Sequence, residues 1–375
     1  MRYQEFKLTE YTDLNKEKKD IIAKISGYSA DSPEQAEILD RIYKIINKGQ
    51  IGTNIDTAFA QSMGDENQWS KGEGDKVRQE VARIIASVET DYKTLSAFIK
   101  RMESKGGVVN IAELSKPLNT FQSVFGDAAG SQAFNALAGY GVGKKQKGPG
   151  EYALAVLSNK IKLASGEGDL EIEGIGKVEL KAAMSKSGGR IGYGGGSQKA
   201  KMQELETYRD RIPTVLETLK KNAGGSLGIK AFMTALNIDM PIAGAGVSNP
   251  EATPQENQSD RRNLMKALIS LDMDSYADKI ADKIATSEDV NAILETYLVQ
   301  NFLWYRNRDK FNALLVMGVA TKKTSMMRNE TDLLTFKNSG HAASPDGFGI
   351  SIIPTQAGAG REQWAQLSLN NGIVS

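Results

Sequence analysis

The sequence contains no cysteine. Disulfides, thiolate nucleophiles and cysteine-ligated zinc or iron–sulfur centres are therefore excluded. It contains one histidine, His341, so two-histidine metal sites and multi-histidine nuclease chemistries are excluded too. A Ser-His-Asp triad would have to use His341, and no G-x-S-x-G elbow accompanies it. That histidine sits in "NSGHAASPDG", a loop composition, and is assigned no chemistry. A charge excess of one sign is also lacking. The 47 basic and 46 acidic residues nearly cancel, so any surface for nucleic acid has to be local. No uninterrupted apolar run reaches membrane-spanning length. The N-terminal "MRYQEFKLTEYTDLNKEKKD" is charged and has no signal-peptide core. A cytoplasmic protein, or one packaged in a particle, is expected.

What is present is length and helical patterning. A chain of 375 residues predicts two or three domains with a sizeable core. "DSPEQAEILDRIYKIINKGQ" offers Ser32 as a cap, Pro33 in the first turn and Gly49 past the end. Ile38, Leu39, Ile42, Ile45 and Ile46 form its apolar stripe. A second helix from about Asp75 carries Val77, Val81, Ile84, Ile85 and Val88, and is expected to run on through "YKTLSAFIKRMES" to Gly107. A third helical stretch reaches Phe125. The spacing thus predicts a helical domain over 1–125.

The remainder, 126–375, reads as mixed α+β or α/β. A glycine-rich loop carries Lys144, Lys145 and Lys147, and a short helix starts after Pro149. Residues 199–304 read as mostly helical, with Pro213 as a break and an exposed loop over 245–259. "FNALLVMGV" (311–319) suits a buried strand and "GFGISIIPT" a further one, so late strands are expected over 311–354.

The stretch that carries chemistry is "GDLEIEGIGKVELKAA", residues 168–183. Read as a hairpin with a Gly174-Ile175-Gly176 loop, it puts Leu170, Ile172, Val178 and Leu180 on one face. Asp169, Glu171, Glu173, Glu179 and Lys181 take the other. That register sets Asp169 opposite Lys181 and Glu171 opposite Glu179. Like charges directly opposite are destabilising by up to about 1 kcal/mol, and a hard divalent cation such as Mg²⁺ or Mn²⁺ would turn the repulsion into ligation. The competing account is a solvated acidic face. Acid-x-Lys triplets are common, and the chain has others at Glu5, Glu17, Asp91 and Glu103.

Glu151 on a helix, Asp169 in "GDLEI" and Glu179-Leu180-Lys181 in "VELKAA" together resemble the PD-(D/E)xK, or restriction-endonuclease-like, nuclease superfamily. The likeness covers about residues 148–185, and Gly168 stands where the superfamily's proline would be. The resemblance implies a core of helix, three or more strands, helix and strand, with "FNALLVMGV" as a candidate for the later strand and the core helix and an insertion between. It implies a Mg²⁺-dependent (or Mn²⁺-dependent) DNA endonuclease. Asp169, Glu179 and the Leu180 carbonyl would be its metal ligands. Lys181 would orient or help deprotonate the attacking water, and Glu151 would position a second metal or the water. Lys144, Lys145, Lys147, Lys186 and Arg190 could hold phosphates, or be ordinary solvated basic loops. A homodimer or larger assembly is compatible with such an enzyme.

Two other readings stand beside it. One is a non-catalytic phage or mobile-element protein, structural or DNA-binding, that keeps the nuclease fold. The other is a helical interaction protein in which the hairpin lies at a sheet edge, away from "FNALLVMGV". "AGYGVGKKQ" fails as a phosphate loop, because Ala138 replaces the first glycine and Lys145 the Ser/Thr. "LDMDSYAD" lacks the glycine and later glutamate of a calcium loop.

Overall fold

Apolar stripes at helical spacing dominate the first third, and they do form helices. In the computed structural model the described residues are 33–63, 71–88, 91–139, 148–183, 190–191, 198–221, 227–243, 252–269, 274–319, 321–339, 351–353, 367–370 and 373–374. Ser32, Lys144, Lys145, Lys147, Lys186 and His341 lie outside them. The fold is α+β. Its residues gather into two compact units. One lies within Met1–Met184 and Lys310–Met326, the other within Ser185–Asp309 and Met327–Ser375. Position 125 falls inside the first unit, because the early helices and the main sheet share one apolar core from Ala36 to Met326.

Helix α1 (Pro33–Ile46) buries Ile38, Leu39, Ile42 and Ile46. Gly49 ends that segment with a φ of 62°, and α2 (Gly49–Met63) restarts at once. Helix α3 (Lys71–Ala86) does not continue into α4 (Tyr92–Met102), as the periodicity predicts. Asp91 caps α4 instead, its carboxylate accepting the Thr94 N–H at 2.8 Å. An aspartate there competes with helix propagation and favours a new start. Short helices α5 (Ile111–Leu114) and α6 (Phe121–Phe125) flank β1 (Asn119–Thr120), and α7 (Ala128–Gly139) follows.

Arg41 of α1 grips Glu103 just past α4 with two hydrogen bonds, at 2.8 and 2.9 Å. The guanidinium holds the Glu103 carboxyl below its ordinary pKa. A lowered carboxyl pKa contributes stability that is present above the unfolded value and lost as pH falls through the folded one. Arg41→Met is therefore expected to cost under about 1 kcal/mol at neutral pH, because Glu103 is partly solvated. The difference should vanish in acid. Urea unfolding of both proteins at neutral and acidic pH measures it.

The first unit continues with α8 (Pro149–Leu157), β2 (Ile161–Leu163), β3 (Leu170–Ile172) and β4 (Gly176–Ala183). Pro149 opens α8, and every side chain from Tyr152 to Leu157 is buried. Buried Asn54 of α2 ties this region together. Its amide donates to the Ala155 and Ile161 carbonyls, each at 2.8 Å, and so fixes the exit of α8 onto β2.

The second unit begins with β5 (Arg190–Ile191) and α9 (Gln198–Thr207). A 3-10 turn at Arg209–Arg211 precedes α10 (Pro213–Lys221), so Pro213 does interrupt the helical run. Then come β6 (Leu227–Gly228), α11 (Ile229–Asp239), α12 (Pro254–Leu268), α13 (Asp274–Thr286) and α14 (Val290–Asp309). The expected loop over 245–259 is overturned from Pro254 onward. Thr253 and Glu256 form a reciprocal capping box with Pro254 in the first turn, and that starts a helix amid polar residues. Buried Asp239 accepts the Thr214 and Val215 N–H groups at the start of α10. The chain ends with β7 (Ala313–Gly318), β8 (Lys323–Met327), α15 (Glu330–Asn338), β9 (Ser351–Ile353), β10 (Leu367–Asn370) and β11 (Ile373–Val374). Strands β7 and β9 fall in the two expected late-strand segments.

The main sheet has the order β1-β8-β7-β4-β3-β2. Strands β2, β3 and β4 form an antiparallel meander, and β7 runs parallel to β4. All six residues of β7 are buried, the pattern of a strand covered on both faces. Helix α8 packs on β2 and β4. The hairpin is thus interior to the sheet and directly beside "FNALLVMGV". The two smaller sheets are β11-β10-β5 and β6-β9. No helix among the described residues is long and apolar enough to cross a membrane.

Candidate functional site

Alternation in β3 and β4 behaves as the sequence predicts. Leu170, Ile172, Val178 and Leu180 enter the core. The register does not follow prediction. Leu170 pairs with Val178, Glu171 with Lys177 and Ile172 with Gly176. The turn is Glu173-Gly174-Ile175 rather than Gly174-Ile175-Gly176, which shifts the pairing by two residues. Glu171 consequently has Lys177 on one side and Lys162 of β2 on the other, and Glu179 is not its partner. Glu173 meets Lys160 at 3.3 Å. Glu167 meets Lys177 and Lys310, which hold its carboxyl below the ordinary value. The crowding of acids on this hairpin is therefore largely answered by lysines. The segment "SNKIKLA" supplies two of them, Lys162 on β2 and Lys160 just before it.

The new register depends on Gly176, whose φ is 94°. A Cβ there would come within 2.5 Å of the Asn312 Oδ1, which accepts the Lys177 N–H at 2.8 Å. Asn312 also donates its own N–H to the Lys177 carbonyl, so this asparagine fixes the start of β4 beside β7. Gly176→Ala is expected to destabilise the protein by roughly 2–3 kcal/mol, from the positive φ and the displaced hydrogen bond together. Thermal unfolding against the parent chain checks this. An alanine variant of unchanged stability would mean that the turn is placed wrongly.

Asp169 sits at the mouth of β3 and grips β4 around Glu179. Its N–H donates to the Val178 carbonyl at 3.0 Å, and its carboxylate Oδ2 accepts the Leu180 N–H at 2.8 Å. Asp169 therefore adjoins Glu179 rather than lying opposite Lys181. Glu179 and Lys181 share one face of β4 and form an ion pair of 2.6 Å, with side chains only 12% and 19% exposed. Asp169, Glu179 and Lys181 are thus brought to one stretch of the central strand. The Leu180 side chain is in the core, and its N–H belongs to Asp169.

Glu151 has a different setting. It is buried, and its Oε1 accepts the Gly148 N–H at 2.8 Å, the glutamate half of a capping box at the start of α8, where Gly148 has no side chain to supply the other half. That contact satisfies a helix-end donor and by itself explains a glutamate three residues into the segment. Arg190 lies on β5, whose backbone pairs with Leu367 and Ser368. The other basic residues proposed for phosphate are outside the described set.

The donor chemistry suits a hard cation, being carboxylate oxygen only. No group of three or more His, Cys, Asp or Glu residues that could hold a metal occurs among the described residues. A Mg²⁺ at Asp169 and Glu179 would take its remaining ligands from water and substrate, as this ion commonly does. No family model, curated protein or solved structure matches the chain.

Proposed function

We propose that this chain is a Mg²⁺- or Mn²⁺-dependent DNA endonuclease built on a restriction-endonuclease-like core. One observation carries the reading: Asp169 grips the central strand β4 around Glu179, with Lys181 on the same face. The order of elements supports it. A helix bearing Glu151 precedes a three-strand antiparallel meander, and a later strand joins the third in parallel. Residues 184–312 intervene and contain the helical insertion.

In this reading Asp169 and Glu179 hold the ion, with the Leu180 carbonyl as a further donor. The bound ion would polarise the scissile phosphate and acidify water. Lys181 positions that water and offsets negative charge developing on the phosphoryl oxygens. Glu151, held at the start of α8 by the Gly148 N–H, would position a second ion or the water. Lys144, Lys145, Lys147, Lys186 and Arg190 are the proposed backbone contacts to DNA.

A second reading is favoured by the Glu179–Lys181 contact itself. A carboxylate and a lysine that neutralise each other can also be a purely structural pair, in a phage or mobile-element protein that keeps the fold without cutting. Incubation with supercoiled and linear DNA and Mg²⁺ or Mn²⁺ separates the two. Cleavage that disappears in Lys181→Ala supports the enzyme. Absence of cleavage, together with absence of saturable Mn²⁺ binding, favours the non-catalytic relative.

A further inference from the structure

Helix α14 buries most of its length in the second unit, and Gln300 is among the buried residues at 8% exposure. The Gln300 Oε1 is shielded from water and accepts no hydrogen bond. A stranded amide oxygen is costly, and native proteins usually set a donor against one. Gln300 is also part of the wall of a cleft of about 240 Å³. Glu295, Thr296 and Val299 line it too, because residues three and four apart share one side of a helix. Glu330 and Leu334, four apart on α15, contribute further wall, as does Lys283 of α13.

The charges of this cleft are not settled among themselves. Glu295 is taken, since Lys337 donates to its Oε1 at 2.6 Å. The Thr296 hydroxyl donates to the Ala292 carbonyl at 2.9 Å, which leaves its oxygen as an acceptor. Half-buried Lys283 and exposed Glu330 form no ion pair with each other or with any other described residue. A cation, an anion and a stranded acceptor therefore line one small space beside the apolar Val299 and Leu334. A ligand that leaves none of them unmatched carries a carboxylate, a cationic donor and a short apolar branch. An apolar cavity of about 150 Å³ takes up benzene, so the cleft has room for a molecule only modestly larger.

We infer that this cleft is a binding site for a small aliphatic α-amino acid. Its carboxylate meets the Lys283 ammonium in a charge-assisted contact. Its ammonium faces Glu330 and donates to Gln300 Oε1. The terminal amide of a glutamine turns easily about its last side-chain bond, and that turn brings the oxygen to the cleft. The alkyl branch lies on Val299 and Leu334. The site uses no residue proposed for DNA cleavage, so its failure leaves that proposal untouched.

Isothermal titration calorimetry of the full-length protein with L-valine tests this. Isobutylamine, which is valine without the carboxylate, and isovalerate, which is valine without the ammonium, are the comparison probes. Valine should bind saturably, and each comparison probe at least about tenfold more weakly. Lys283→Met should weaken valine about tenfold and should not weaken isobutylamine, which has no carboxylate to lose. Gln300→Leu keeps the volume and removes the acceptor. It should weaken valine by a similar factor without lowering the thermal unfolding midpoint, because it also removes a stranded buried amide. Lys279→Met is the charge control. That lysine is exposed one turn earlier on α13 and outside the cleft, and its loss should change valine affinity by less than about threefold. The site is overturned if valine gives no saturable heat or if isobutylamine binds as tightly as valine. Full valine affinity in either Lys283→Met or Gln300→Leu overturns it as well.

Discussion

Asp169→Asn is expected to lower Mg²⁺-dependent DNA cleavage by about a thousandfold, equivalent to roughly 4 kcal/mol of transition-state stabilisation, and to leave the fold intact. The second half of that expectation comes from geometry. The carboxylate Oδ2 accepts the Leu180 N–H at 2.8 Å, and an asparagine carbonyl oxygen in the same place can accept the same bond. What the substitution removes is the negative charge that an ion would need. Stability should therefore stay within about 1 kcal/mol of the parent. Asp169→Ala is the informative contrast. It strands the Leu180 N–H as well, and is expected to cost about 1–3 kcal/mol of stability in addition to the lost activity. Plasmid nicking and urea unfolding on the three proteins measure both effects. Full cleavage by Asp169→Asn would remove the foundation of the proposed activity.

The largest expected loss of stability lies in the second unit, at Arg261. Its side chain is completely buried. The guanidinium donates to the carbonyls of Ile284, Met240 and Ser287 at 2.9, 3.0 and 3.1 Å. Met240 is the C-cap of α11, and Ile284 lies in the last turn of α13. One planar fork thus satisfies orphan carbonyls at the negative ends of two helices. Burial pushes the guanidinium pKa down to about 10, so the group remains cationic at neutral pH. Arg261→Met fills the space of the stem but leaves three carbonyls unmet, and is expected to cost about 4 kcal/mol. Arg261→Lys retains the charge without the fork and should recover only part of that loss. Hydrogen exchange at the amides of α11 and α13 localises the effect, which a single unfolding midpoint would not. Protection unchanged by Arg261→Met would show that these helix ends are held by something else.

Much of the local structure was legible. The stripe of Ile38, Leu39, Ile42 and Ile46, the Pro149 helix start and the strand character of "FNALLVMGV" follow from side-chain spacing and proline geometry, which act over a few residues. The errors fall where two local rules compete. Asp91 reads equally as a helical surface residue or as a cap, and its hydrogen bond from the Thr94 N–H shows it to be the cap. Thr253-Pro254-Gln255-Glu256 looks like a polar loop until the capping box is weighed against the proline. In the hairpin, both glycines can serve the turn. Asn312, distant in sequence, decides that Gly176 belongs to the strand, and so sets which acids meet which lysines. Glu151 was readable as a site residue and equally as the third residue of a helix cap. Its observed hydrogen bond to Gly148 is the cap.

By itself the sequence determined which chemistries are impossible, where most helices and the central strands lie, and that Leu170, Ile172, Val178 and Leu180 face inward, because these depend on composition and short-range periodicity. Only the tertiary structure decided the hairpin register, the placement of Asp169 around Glu179, the Glu179–Lys181 contact and the parallel pairing of β4 with β7. The register and the β4–β7 pairing are set by groups more than a hundred residues apart, such as Lys177 and Asn312, and the contacts of Asp169, Glu179 and Lys181 follow from that register; no spacing rule within a short window encodes it.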